Sequence, residues 1–216
     1  METITWSNKL AYVVGLLTAD GNLSPDGRHM TYVSKDRDLI QSFKDCLELK
    51  NKISRKTSGY SKDKVKRYYV MHFGNVRLYN FFTDIGLCPN KSKVLKTLLI
   101  PPVYFPDFFR GLIDGDGNIG YFMHPESRHK QFRIRIASGS RAFLEWLNTV
   151  VEMRLGVKGS IHTIKRGFHL SYYMQATAKI IDFIYYKKNV IALKRKRRIA
   201  ALIATREWWN WNTRTA

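Results

Sequence analysis

An α+β protein of two pseudo-symmetric halves, each ordered α-β-β-α-β-β-α, is predicted for these 216 residues. An internal repeat is the first observation behind it. Ala11-Tyr-Val-Val-Gly-Leu-Leu-Thr-Ala-Asp-Gly-Asn-Leu23 is echoed 96 residues later by Asp107-Phe-Phe-Arg-Gly-Leu-Ile-Asp-Gly-Asp-Gly-Asn-Ile119. The second is that a hairpin pattern follows each copy, with strict polar/apolar alternation in the second half. The third is that each half then repeats one order: amphipathic helix, hairpin, helix, basic segment. Residues 1–98 form the first half, 99–106 a linker and 107–216 the second half.

The motif helices come first. Ser7 is the expected N-cap of a helix over 8–20, and Pro106 a first-turn residue for one over 106–116. Gly21 and Gly117 follow where a left-handed residue commonly stops a helix. In the next hairpin Phe132-Arg-Ile-Arg-Ile136 puts Arg133 and Arg135 on one face, with Ile134 and Ile136 on the other. The matching stretch is His29-Met-Thr-Tyr-Val33, with His29 and Thr31 on the polar face and Met30 and Tyr32 on the apolar one. Ser34 and Ser138 set that correspondence, each ahead of an amphipathic helix, over 38–49 and 141–155. Second hairpins are read near 52–57 with 67–73, and near 160–165 with 168–174. Closing helices are read over 76–85 and 178–186. Basic segments follow, Asn90-Lys-Ser-Lys93 and Leu193-Lys-Arg-Lys-Arg-Arg198. Paired prolines in Leu99-Ile-Pro-Pro-Val-Tyr-Phe-Pro106 favour an extended linker. Asp20 to Ser34 spans 14 residues but Asp116 to Ser138 spans 22, so the second half has the longer first hairpin.

Composition narrows the partners. With 44% hydrophobic and 13% aromatic residues the chain folds around a core. Its 37 Lys and Arg against 17 Asp and Glu leave a net charge of +20, which repels itself when compact and calls for a polyanion. A ribosomal protein and a binder of anionic membranes are the plainer alternatives. Cys46 and Cys88 lack the spacing of a zinc site, are too few for a disulfide framework and read as buried free thiols. No apolar run reaches a membrane span, and the start Met1-Glu-Thr-Ile-Thr5 is no signal peptide, so an intracellular protein is expected. The six histidines show no His-Glu-x-x-His spacing and offer no rival active site.

The motif helices should touch. Ala11, Gly15 and Ala19 form one stripe of small residues, as do Gly111 and Gly115, and such stripes allow close helix approach. A glycine inside a helix costs about 1 kcal/mol relative to alanine, so these require a reason. If the stripes pair about a pseudo-twofold axis, Asp20 and Asp116 meet at one end. Carboxylates there are disfavoured by the negative end of each helix dipole unless a cation compensates, and they repel each other unless a divalent cation lies between.

These two copies resemble the motif of the LAGLIDADG homing endonucleases in its single-chain, two-motif form. The resemblance runs from about Leu10 to Arg198. The second copy, Phe109-Arg-Gly-Leu-Ile-Asp-Gly-Asp-Gly117, is the closer match; the first has Thr18 where the motif carries an acid, which Asp114 keeps. It implies motif helices paired at an interface, a β-saddle in the major groove, and site-specific double-strand DNA cleavage leaving short 3′ overhangs. The metal-binding acids it implies, those just before the final glycine, are Asp20 and Asp116. A divalent cation on them would polarise the scissile phosphate, activate a water and stabilise the leaving 3′ oxygen. Hard oxygen ligands suit Mg²⁺, with Mn²⁺ substituting and Ca²⁺ supporting binding without cleavage. Family sites also imply a lysine near each scissile phosphate: Lys91 in the first half, Lys194 or Lys196 in the second.

Base reading is expected from the polar strand face. Arg133 and Arg135 suit guanine, while Asn22, Ser24, His29, Thr31 and Asn118 are weaker candidates. Lys52, Arg55, Lys56, Arg67, Lys165 and Arg166 fit phosphate or base contacts. The segment Thr57–Lys66 is expected to be ordered by DNA. Apolar residues at Ile191, Ile199, Leu202 and Ile203 make the last basic run an amphipathic helix. The aromatic Glu207-Trp-Trp-Asn-Trp211 is expected to pack on the second half or to meet a partner. A monomer acting on double-stranded DNA is the leading reading. An intron RNA maturase on the same scaffold and a cleavage-dead DNA-binding regulator are its rivals, and retention of both acids favours cleavage.

Overall fold

The computed structural model describes residues 4–57, 65, 67–123, 126 and 130–204. Most of the loop expected at 57–66, His124, His129 and the aromatic tail lie outside the described residues. The first half contains α1 (Asn8–Asp20), β1 (Gly21–Leu23), β2 (His29–Ser34), α2 (Arg37–Cys46), β3 (Ile53–Lys56), β4 (Tyr68–Gly74) and α3 (Val76–Asp84). The second contains α4 (Phe105–Gly115), β5 (Asn118–Met123), β6 (Lys130–Ser138), α5 (Arg141–Leu155), β7 (Ser160–Ile164), β8 (Gly167–Tyr173), α6 (Met174–Ile184) and α7 (Lys194–Ala204). The strands make two four-stranded antiparallel sheets, ordered β1-β2-β4-β3 and β5-β6-β8-β7. Among the described residues no helix is long and apolar enough to cross a membrane.

Local chemistry explains the element starts. The Ser7 hydroxyl accepts from the Leu10 N–H at 3.1 Å and opens α1. Pro106 lies in the first turn of α4, which begins at Phe105 behind a 3-10 turn at Pro102–Tyr104. The end of the expected extended linker is therefore already helical, and burial of Phe105 against Phe108, Phe109 and Trp146 is what holds it. Helix α6 also starts four residues earlier than expected. Thr177 donates its hydroxyl to the Tyr172 carbonyl at 2.7 Å and receives the Ile134 N–H at 3.3 Å, which binds the helix start to the sheet.

Helices α1 and α4 lie together at the centre, and α1 is buried on every side from Leu10 to Thr18, as befits an all-round apolar helix. The contact is reciprocal. A Cβ on Gly15 would strike the Phe108 carbonyl oxygen and come within 2.6 Å of the Leu112 nitrogen. One on Gly111 would strike the Tyr12 carbonyl oxygen and come within 3.2 Å of the Gly15 Cα. Gly15 and Gly111, like Tyr12 and Phe108, are equivalent by the 96-residue repeat, so a pseudo-twofold axis passes between the helices. Further along, Gly115 meets Ala19.

The stop glycines differ from expectation. Gly21 is extended (φ −83°, ψ 158°), and Gly117 is absent from the positive-φ residues. Crowding selects them instead: a Cβ would lie 2.6 Å from the Leu17 Cα and from the Ile113 Cα respectively. Cys46 and Cys88 are free and only half-buried.

Gly15→Ala or Gly111→Ala should cost about 3 kcal/mol by forcing backbones apart, a fall of roughly 6–12 °C in Tm. Thermal denaturation of either variant checks this, and melting like the parent would show that the helices need no such approach.

Candidate active site

The close helix approach delivers its result at one end. Asp20 is the last residue of α1 and Asp116 caps α4. Their side chains are within hydrogen-bonding reach of each other. Burial first, then the negative charge of Asp116, pushes Asp20 up to about 7, against the pull of Lys91 and Lys196. Burial raises Asp116 too, with Lys196 and Lys91 opposing. Both residues keep an edge open to solvent, so these shifts reflect crowding by protein atoms on the inner side rather than enclosure.

The cations that the helix ends require are Lys91 and Lys196. Lys91, almost fully buried in the turn after α3, donates its Nζ to the Gly21 carbonyl. Lys196, 3% exposed, donates to the carbonyls of Ile113 (2.6 Å), Asp114 (2.8 Å) and Gly117 (2.6 Å). These are terminal carbonyls that lack helical partners, and a cation there opposes the helix dipole. Gly21 and Gly117 are repeat equivalents, so each half brings one lysine to the same place. Within the second basic run it is Lys196 that reaches these carbonyls. Lys194 is 79% exposed and lies 3.7 Å from Asp38. Burial lowers both buried lysines, Lys196 to about 8, while nearby carboxylates hold them up.

Asp114, which sequence reasoning noted only as a motif acid, is wholly buried. Its Oδ2 accepts from the Tyr12 hydroxyl and from the Leu193 N–H, each at 2.8 Å. Thr18, its equivalent, turns inward and donates to the Val14 carbonyl of its own helix at 2.7 Å. The mismatch of an acid with a threonine at equivalent positions was the signal in the sequence.

The sheets sort the other candidates. Asn22 pairs with Thr31 in register, and the Thr31 hydroxyl lies 2.8 Å from Nδ1 of His72, both on the face that His29 shares. Asn118 pairs with Arg135, and Arg135 in turn with Ser171. Arg133 stacks over Phe122 at 4.4 Å and pairs with Tyr173, so its guanidinium is propped on an aromatic. Ser24 lies in the β1–β2 turn, where its carbonyl accepts from Tyr79. Lys56 shares the Thr31 face by register, but Arg55 does not: it pairs with Tyr69, stacks over that ring and lies on the helix side. Lys52 precedes β3, Arg67 precedes β4, and Lys165 and Arg166 form the exposed β7–β8 turn. In α7, Ala200 and Ile203 are buried as an amphipathic helix requires, whereas Leu202 faces outward.

Two adjacent carboxylates whose charges are disfavoured make a hard-oxygen donor pair. It fits a divalent cation that retains several waters. It does not fit zinc, since no cluster of three His, Cys, Asp or Glu exists among the described residues.

Without metal the site costs stability at high pH. Because folding raises Asp20 from 3.8 to about 7, the fold keeps a proton that the unfolded chain has released. This group's contribution therefore falls as pH climbs between those values. In chelator Asp20→Asn should melt above the parent at pH 8, with the gap closing toward pH 4. Scanning calorimetry checks it, and a variant melting lower at pH 8 would refute the repulsion.

Comparison with known proteins agrees with this fold. A family profile describing a LAGLIDADG-like domain matches residues 7–86 and again 107–203. No curated protein matches the chain by sequence. Among solved structures, the homing endonuclease I-WcaI bound to its DNA recognition sequence superposes with a TM-score of 0.64 at 11% identity, over 93% of this chain and 88% of that one. I-SmaMI bound to uncleaved DNA target in the presence of calcium ions superposes at 0.60 and 14% identity, over 95% and 93%. Full-length DUF199/WhiA from Thermatoga maritima superposes at 0.57 and 13% identity, over 93% of this chain but only 63% of that one, so the chain spans under two thirds of that protein's length. Such identities establish a common fold. With both halves matched and most of the sequence covered, the chain belongs to the LAGLIDADG-like domain family.

Proposed function

We propose that this protein is a monomeric, metal-dependent, site-specific double-strand DNA endonuclease that leaves short 3′ overhangs. The observation that carries the reading is the pairing of Asp20 with Asp116, flanked at repeat-equivalent carbonyls by Lys91 and Lys196. An acid pair with its own cations is more than helix termination requires. The DNA complexes of I-WcaI and I-SmaMI, which share the fold, support a duplex as partner.

Asp20 and Asp116 would hold Mg²⁺, or Mn²⁺ in its place. The bound ion supplies Lewis-acid polarisation of the scissile phosphate. Lys91 and Lys196 place positive charge beside the phosphates, and their burial, which lowers the pKa of each, draws both from water. The polar sheet faces lie in the major groove: Arg133 and Arg135 read guanines, His29, Thr31, Asn22 and Asn118 read neighbours, and Lys56, Lys165 and Arg166 neutralise phosphates. The calcium-bound, uncleaved complex of I-SmaMI supports Ca²⁺ as the ion that allows binding alone.

A second reading is a cleavage-dead DNA-binding regulator, since the fold is shared with DUF199/WhiA, which is not named as a homing endonuclease. Selection on a randomised duplex library in Mg²⁺ and in Ca²⁺, with sequencing of cut ends, separates the two. Discrete double-strand ends in Mg²⁺ alone are expected. Enriched binding with no cut in either ion would establish the regulator.

On the selected target, Asp20→Asn or Asp116→Asn should abolish cleavage and leave binding within about twofold, since neither change removes a groove contact. Loss of binding in both would make the acids structural. Arg135→Ala should relax preference at one base position by about 1–3 kcal/mol. A binding profile across substituted targets measures this, and an unchanged profile would make Arg135 a backbone contact.

A further inference from the structure

Three positions of α4 break the repeat. Asp107, Arg110 and Asp114 stand where α1 has Ala11, Val14 and Thr18, and the three polar residues follow one face of the helix. All three are buried. Each holds the stretch between α6 and α7. Tyr186 donates its hydroxyl to Asp107 at 3.1 Å. Arg110 donates to the Ile184 carbonyl (2.7 Å) and the Ile191 carbonyl (2.7 Å), and is paired with Asp107. Asp114 accepts the Leu193 N–H. Leu193 lies immediately before α7 and three residues before Lys196. The first half makes do without such a rail because its route is shorter: from the end of its last helix, Asp84, to Lys91 is 7 residues, against 12 from Ile184 to Lys196.

We infer that Asp114 is a positioning residue for Lys196: by anchoring the Leu193 amide it sets the start of α7, and with it the ammonium at the second half-site. The inference rests on the nuclease reading above. A longer connector has more conformations to lose, and a buried acceptor at its far end removes them. Lys196 reaches its carbonyls only from that start, and a displacement of about an ångström there is enough to slow a reaction. Lys91 does not depend on Asp114, since its turn is closed by its own carbonyl accepting from Leu95 N–H at 2.9 Å and by packing of the Leu95 segment on Ser140. The two strand cuts therefore differ in what they require.

The variant Asp114→Thr tests this, because Thr18 shows that a threonine fits this helix position with its hydroxyl returned to the chain four residues back. Asp114→Asn is the conservative control, keeping one oxygen able to accept from Leu193. Two measurements are made: cleavage of a duplex labelled separately on each strand in Mg²⁺, and hydrogen exchange over 188–200 in metal-free protein. Asp114→Thr should slow one strand by about tenfold and the other by less than about twofold, so that nicked duplex accumulates. Exchange at the start of α7 should quicken. Asp114→Asn should restore both. Equal slowing of the two strands, unchanged exchange, or an asparagine variant as impaired as the threonine one would overturn the inference. If the parent cuts neither strand, the nuclease reading fails, while exchange still decides whether Asp114 holds α7.

Discussion

The backbone contact between α1 and α4 is the constraint on which the rest of the molecule depends. Gly15 and Gly111 bring each helix against the carbonyl of the other, reciprocally about the pseudo-axis. Nothing larger than hydrogen fits. Because both helices run in one sense from that crossing, their C-termini stay close, and Asp20 and Asp116 cannot avoid each other. The sheets hang from the same ends, since β1 follows α1 without a break and β5 begins two residues beyond Asp116. Acid pair and strand faces thus share one origin.

Bringing two carboxylates to two negative helix ends concentrates unfavourable charge, and Lys91 and Lys196 are the response built into the chain. Each spends its ammonium on terminal carbonyls rather than on an ion pair with an acid. That arrangement leaves the carboxylates free for another cation and keeps the lysines beside them. Burial lowers both lysines, yet carboxylates surrounding them favour the charged form. A site poised in this way is stable without metal only at a cost, which the divalent cation proposed above would relieve.

Much of this was legible from pattern alone. Alternation over 132–136 placed Arg133 and Arg135 on one face, and the stripes of small residues foretold the helix pair. Periodicity says which residues share a face, but not what crowds a backbone. Gly21 and Gly117 therefore read as left-handed stops, although they are needed because Leu17 and Ile113 press on them. The face that Arg55 takes is hidden for a related reason: it depends on the register of β3 with β4, which no spacing within β3 reveals. Lys194 and Lys196 differ by two places in a run of identical charge, and only the docking of α7 tells the exposed one from the buried one.

The polar rail of α4 is a different kind of feature. A buried pair such as Asp107 with Arg110 gains little over apolar packing, because desolvation consumes most of the attraction. Ala11 and Val14 show that the equivalent helix manages without one. What the rail adds is direction. Arg110 meets two carbonyls and an acid at once, and Asp114 meets one amide, so the connector can lie in one way only. Apolar contacts alone would let it slide. Symmetry between the halves ends where geometry has to be specified, and the departures from the repeat mark that place.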